Sequence, residues 1–194
     1  TKSRGRMSNL KDLTWEHHQN AERQDFVKVL MSGKINPEFY AIYLWNQHKK
    51  YDLLEALASS VGIFDDLPDI RRKIKIEQDF LELWSDNNPP PILPSTNEYI
   101  KRMKTLIGDY ESLMAHVYVL HMGDLSGGQM IAKRVPGAGN MYKFDTDTTA
   151  LKESIRAKTN DNMAEEAKFV FESATNLFQE LMELEVEHYL ESSD

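Results

Sequence analysis

No stretch of useful length alternates apolar and polar residues, so the chain predicts no sheet. It reads as helices, punctuated by only nine glycines and seven prolines. Ser8 or Asn9 can cap a first helix running to about Met31 and closed by Gly33. Asn36-Pro37, an N-cap followed by proline at the first helical position, opens a second to about Ser60. Pro68 opens a third that ends near Trp84. The run Asn87–Pro94, with four prolines, is a rigid non-helical link. Ser95-Thr96-Asn97-Glu98 has capping-box spacing and starts a fourth helix. A fifth runs from Tyr110 to about Arg134, followed by a loop over 135–140. Two more cover about 147–158 and 162–190. There is no internal repeat, and the proline-rich link is too short to separate two cores. The expectation is one all-α domain over 7–194.

Composition narrows the function classes. A chain of 194 residues can bury roughly 70% of its unfolded surface, enough for one filled core. With 41% hydrophobic and 28% charged residues it reads as a soluble globular protein, and it has no uncharged apolar run of about 18 residues to span a membrane. A net charge of −8 argues against nucleic acid as a partner. The absence of cysteine excludes disulfides, thiolate metal sites and a cysteine nucleophile. Residues 1–6 lack an apolar core and cannot be a signal peptide. They are expected to be an appended remnant or a disordered terminus, with Met7 as the natural start.

One segment breaks the helical rule. Gly123-Asp124-Leu125-Ser126-Gly127-Gly128-Gln129 places three glycines in a helix, each costing roughly 1 kcal/mol relative to alanine. At 100° per residue Gly123, Asp124, Gly127 and Gly128 fall in one stripe with Leu120 and Ile131. A stripe without side chains lets a flat, bulky group approach the backbone. A close helix crossing uses the same residues, and spacing alone leaves both open. Of six histidines, His18 stands out: Glu22 lies four residues on, where it can accept the other ring N–H. Lys11 lies seven residues before, about 10 Å along a helix axis. Lys152 and Arg156 form a like-charged i,i+4 pair that an anion would relieve, although charged surface faces are also ordinary.

The run from Ala115 to Gln129, with its unbroken Gly-Asp-Leu-Ser-Gly-Gly-Gln core, resembles the distal-helix signature of the haem oxygenases. Leu10 to Glu22 is similar to that family's proximal helix, and Glu77-Gln78-Asp79 and Glu165-Glu166-Ala167-Lys168 resemble further landmarks. The resemblance spans about Leu10 to Leu184. It implies an all-α, single-domain fold with haem held between a proximal and a kinked distal helix. It implies His18 as iron ligand, with Glu22 as its partner. It further implies that Gly123, Gly127 and Gly128 lie along the haem, that Asp124 holds a distal water, and that Lys11, Tyr118, Lys152 and Arg156 contact the propionates. Phe171 falls where the family places a pocket phenylalanine. The family commonly carries Thr-Arg-Tyr where this chain has Val119-Leu120-His121, so the arginine bordering the pocket is missing, and Ala174 replaces an asparagine. His121 lies at the stripe's margin, where it could bond distal water or reach the iron.

The activity implied is cleavage of haem b, substrate and cofactor at once, at the α-meso carbon by dioxygen, giving biliverdin, carbon monoxide and ferrous iron. Asp124 would relay a proton through water. No nucleotide-binding glycine motif is present, so electrons come from a ferredoxin or a reductase, with a bilin reductase as a downstream partner. Lys28, Lys34, Lys49, Lys50, Lys133 and Arg134 could dock an acidic electron carrier, but most are expected to be solvated faces. The lack of an anchor resembles bacterial, phage or plastid forms and implies the cytoplasm or a plastid stroma.

Overall fold

A computed structural model describes residues 8–192, and for 186–192 the backbone alone. The six leading residues expected to be a remnant lie outside the described residues. Among those described, ten α-helices and two 3-10 turns account for the regular structure and no strand occurs.

Helix α4 (Pro37–Ser60) is the central element. Asn36 caps it as predicted, its side chain accepting from the N–H groups of Glu38 (2.8 Å) and Phe39 (3.2 Å), with Pro37 at the first position. It is buried on most sides: Tyr40, Leu44, Tyr51, Leu54 and Ala58 enter the core, and so do the polar Asn46, Gln47, Lys50 and Glu55. Helices α5 (Lys73–Leu83), α6 (Pro94–Lys104) and α7 (Tyr110–Leu125) pack around it. Helix α10 (Ala164–Ser192) lies across α6 and α7 and also covers α2 (Trp15–Glu22) and α3 (Asp25–Met31). One contiguous apolar core runs from Leu10 to Leu181.

Three predicted helices are interrupted, each for a physical reason. The first divides into α1 (Leu10–Leu13), α2 and α3. At Thr14 the side-chain hydroxyl donates to the Leu10 carbonyl (2.7 Å), competing with the helical backbone, and ψ turns to 5°. At Gln24 the backbone is extended. The third helix starts at Lys73, not Pro68, because Asp69 takes a positive φ of 66° and the Arg72 guanidinium folds back on the carbonyls of Ile70 and Arg71. The fifth ends at Leu125. Ser126 leaves helical geometry, and a short α8 (Gly128–Ile131) resumes after it. The Ser95 capping box does not form. The N-cap is Leu93, and the Ser95 N–H and hydroxyl donate to Glu180 on α10 instead. Helix α9 (Thr148–Ala157) begins where expected, with the Asp147 side chain accepting from the Thr149 N–H (3.1 Å).

Candidate functional site

Helix α2 presents His18 half-buried. Its ring stacks on Phe171 of α10 (centroids 5.0 Å apart, planes at 11°) and meets the edge of Trp15 at 5.4 Å. The expected partnership with Glu22 forms, at 2.7 Å, but through Nε2. Nε2 is the ring nitrogen that meets the carboxylate one turn away. His17 points elsewhere, to Glu172 on α10 (3.1 Å).

The helix break at Ser126 divides the predicted glycine stripe into two faces. A Cβ placed on Gly123 would meet nothing within 4 Å, and one on Gly127 only the Gly123 carbonyl oxygen at 3.9 Å. Both glycines are exposed, with Ser126 and Met130 beside them. Gly128 is different: its Cβ would fall 2.5 Å from Cδ1 of Tyr142. Its missing side chain admits a tyrosine ring from the Asn140–Tyr142 3-10 turn, so the structure sets Gly128 apart from the open face. Gln129 secures the break, donating to the carbonyls of Asp124 (3.3 Å) and Tyr142 (2.9 Å).

Asp124 points inward, 6% exposed, and accepts from the Tyr51 hydroxyl of α4 at 2.6 Å. Burial pushes its carboxyl up to about 7, against the pull of His121, the Tyr51 hydrogen bond and Arg72. Among the described residues its second oxygen has no protein partner. His121 does not reach the open face. Fully buried, it bonds Glu55 of α4 through Nε2 at 2.8 Å, between the rings of Tyr51 and Phe64. This corrects its proposed roles at distal water or iron. A helix-wheel position does not anticipate a buried carboxylate on the facing helix.

Helix α9 packs on α7, where burial raises the Tyr118 hydroxyl and Arg156 opposes part of that rise. The Asn9 N–H donates to Asp161 (2.7 Å), and the Asp161–Met163 3-10 turn following α9 contacts α1, α7 and α10. Helix α1, which carries Lys11, therefore meets the turn that follows α9, which carries Lys152 and Arg156. Among the described residues none of the three has an ion-pair partner, although Lys11 lies 5.7 Å from the Trp15 ring centroid. Two clefts lie elsewhere: one of about 570 Å³ beside Asp52, Glu55 and Lys73, another of about 390 Å³ beside Glu98, Ser173 and Glu180.

Sequence reasoning missed Tyr51, Glu55, Arg72 and Lys50. None belongs to a local motif, and the only available signal was a run of polar residues on the buried faces of α4. Lys50, expected at the surface, is 1% exposed. Lys49 sits on Trp45, its ammonium 3.7 Å from the ring centroid, and Arg134 donates to the Met31 carbonyl (3.1 Å).

Among the described residues no group of three or more His, Asp or Glu side chains could hold a metal ion. Fold and site thus define an all-helical protein that carries a half-buried histidine and a helix face bare of side chains.

The family model described as "Heme oxygenase" matches residues 6–184. The chain belongs to the haem oxygenase family, enzymes that cleave haem oxidatively to biliverdin. It is 28% identical to rat heme oxygenase 1, in a match that covers 95% of this chain and 74% of that protein. It is 27% identical to heme oxygenase 1 of the cyanobacterium Synechocystis, in a match that covers 90% of this chain and 83% of that protein. The crystal structure of Synechocystis heme oxygenase-2 in complex with heme and NO superposes with a TM-score of 0.78 at 25% identity, covering 90% of this chain and 84% of that one. No described helix is long and apolar enough to cross a membrane.

Proposed function

We propose that the chain binds haem b as its substrate between α2 and the α7–α8 break, with His18 as iron ligand, and opens it at the α-meso carbon. The products are biliverdin, carbon monoxide and ferrous iron. Dioxygen is the co-substrate, and a ferredoxin or reductase supplies electrons. The observation that carries this reading is the contrast among the glycines: Gly123 and Gly127 border open space, while Gly128 is filled by Tyr142.

Each residue then has a task. His18 would hold the iron through one ring nitrogen, and Glu22, one turn away, would accept from the other and orient the ring. Phe171 backs the imidazole. Gly123 and Gly127 bring backbone against the macrocycle and wall off all but one meso direction. Lys11 on one side, and Lys152 with Arg156 and Tyr118 on the other, hold the propionates by charge-assisted bonds. Asp124, titrating near neutrality, takes a proton at its free oxygen and passes it through water. A relayed proton is a weaker acid than a side chain in direct contact, which favours attack on the ring over peroxidase-like chemistry. Residues 7–194 act as one domain, in the cytoplasm or a plastid stroma, and a bilin reductase would take the product.

The test is haemin added with a reductant and an electron donor. The Soret band should appear, then decay as a bilin band grows, and chromatography should return the α isomer. A persistent Soret band means a carrier. A product rich in β or δ isomers means that Leu120 leaves a second direction open. Loss of α selectivity in Lys152→Glu with Arg156→Glu supports the propionate roles, and unchanged selectivity refutes them.

A further inference from the structure

Helices α6 and α10 pack against each other, and the cleft of about 390 Å³ runs between the start of α6 and the middle of α10. Helix α10 lines it with Phe169, Glu172, Ser173, Asn176, Glu180 and Glu183, and α6 adds Ser95 and Glu98. At 100° per residue the α10 set falls on one face, and at 1.5 Å per residue Glu172 and Glu183 stand about 16 Å apart along the axis. Four glutamates line the cleft, and no lysine or arginine does.

Two of these carboxylates have partners. Glu172 meets His17 (3.1 Å), and Glu180 accepts from the Ser95 N–H (3.0 Å) and hydroxyl. Glu98 and Glu183 are exposed, and among the described residues neither has an ion-pair partner. Ser173, in the wall of the cleft, is 6% exposed, and its hydroxyl has no hydrogen-bond partner. A buried hydroxyl is normally bonded, and a helical serine can always return to the carbonyl one turn back. Ser173 does not, which leaves its oxygen free to accept from a group that enters the cleft.

The lining specifies the chemistry of that group. Carboxylates and an accepting hydroxyl call for a cation that donates hydrogen bonds. Among the described residues the glutamates do not converge into a group that could hold a metal ion. Spread along a stripe, they match a chain that carries its charges apart. Phe169, whose ring stacks on Tyr99 (centroids 6.4 Å apart, planes at 17°), adds an aromatic wall that favours a cation. The volume lies near the low end of the roughly 300–1,000 Å³ of small-molecule sites.

We propose that the cleft between α6 and α10 binds a linear organic polyamine, with its ammonium groups held by Glu98 and Glu183 and one of them donating to the Ser173 hydroxyl. Nothing in this binding requires haem, so it stands or falls apart from the reading of the haem site.

The experiment is a calorimetric titration of the purified haem-free chain with spermidine, a linear triamine, in about 0.1 M salt, where exposed charges more than about 10 Å apart are largely screened. One saturable step of one spermidine per chain is expected. Glu98→Gln with Glu183→Gln should weaken it about tenfold or more, through the loss of two charge-assisted contacts. Glu38→Gln with Asp65→Asn removes the same charge from exposed positions outside the cleft and should leave binding within about twofold of the parent. Ser173→Ala should weaken binding severalfold while the chain melts no lower than the parent, because this hydroxyl has no partner to lose. Trilysine, which carries its ammonium groups on a peptide, should bind more weakly than spermidine. Equal losses in the two carboxylate pairs, or magnesium ion binding as tightly as spermidine, would mean diffuse acidity and overturn the proposal. Unchanged binding in Ser173→Ala overturns it as well. Tighter binding of trilysine would give the cleft to a basic protein segment and overturn the small-molecule assignment.

Discussion

Alanine at Gly123 and at Gly128 should move stability in opposite directions, and only Gly123→Ala should strike function directly. At Gly128 a methyl would sit 2.5 Å from Cδ1, 3.2 Å from Cε1 and 3.4 Å from Cγ of Tyr142. The ring cannot retreat easily. Its hydroxyl bonds Tyr43 (3.2 Å), its carbonyl holds Gln129, and the Met141 carbonyl beside it is held by Arg72. Overpacking of this kind costs about 1–3 kcal/mol, or about 3–10 °C of melting temperature for a chain this size. At Gly123 the methyl meets nothing, and alanine replaces glycine on an exposed helical turn, which stabilises by about 0.5–1 kcal/mol. Gly123→Ala should therefore melt about 1–4 °C higher. It should also lose haem turnover by tenfold or more, since the methyl stands where the macrocycle would lie against the backbone. Thermal unfolding of the haem-free chain and haemin titration at the Soret band read the two effects separately. A Gly123→Ala protein that melts lower, or degrades haem at the parent rate, would refute the assignment of this open face to the substrate.

Two further outcomes test single groups. His18→Ala should lose the histidine-ligated spectrum and turnover while haem still enters the slot, and added imidazole should restore part of both. An unchanged spectrum there, with loss in His17→Ala, would move the ligand by one residue. Asp124 titrates near 7 in the fold against 3.8 in an unfolded chain, so the native state binds more protons between those values. Stability should fall as pH rises from about 4 to about 7 and level off above, and Asp124→Asn should flatten that slope. Denaturant melts across the range decide it, and a slope of the same size in Asp124→Asn would show that another group carries it.

Much of the helical frame was legible from local chemistry. An asparagine followed by proline at Asn36 announces a helix start because its side chain satisfies nearby backbone N–H groups. The His18–Glu22 pair follows from i,i+4 spacing alone. The misjudged ends have different causes: Ser95 gives its side chain to Glu180, 85 residues away, while Arg72 bonds the nearby Ile70 and Arg71 carbonyls as well as the Met141 carbonyl, 69 away.

The sequence by itself determined that the chain is helical, which segment breaks the helical rule, and which residues resemble a haem oxygenase site, because these depend on neighbours within a turn or two. Only the tertiary structure decided which glycines face open space and which one receives a ring, since Tyr142 reaches Gly128 from another element. It also decided the charge on Asp124. Tyr51, its hydrogen-bond partner, lies 73 residues away, and Arg72 and Glu55 act from elements that meet it only in the fold. A carboxylate's ionisation depends on the dielectric and the charges around it, and those belong to the packed interior, not to any stretch of sequence.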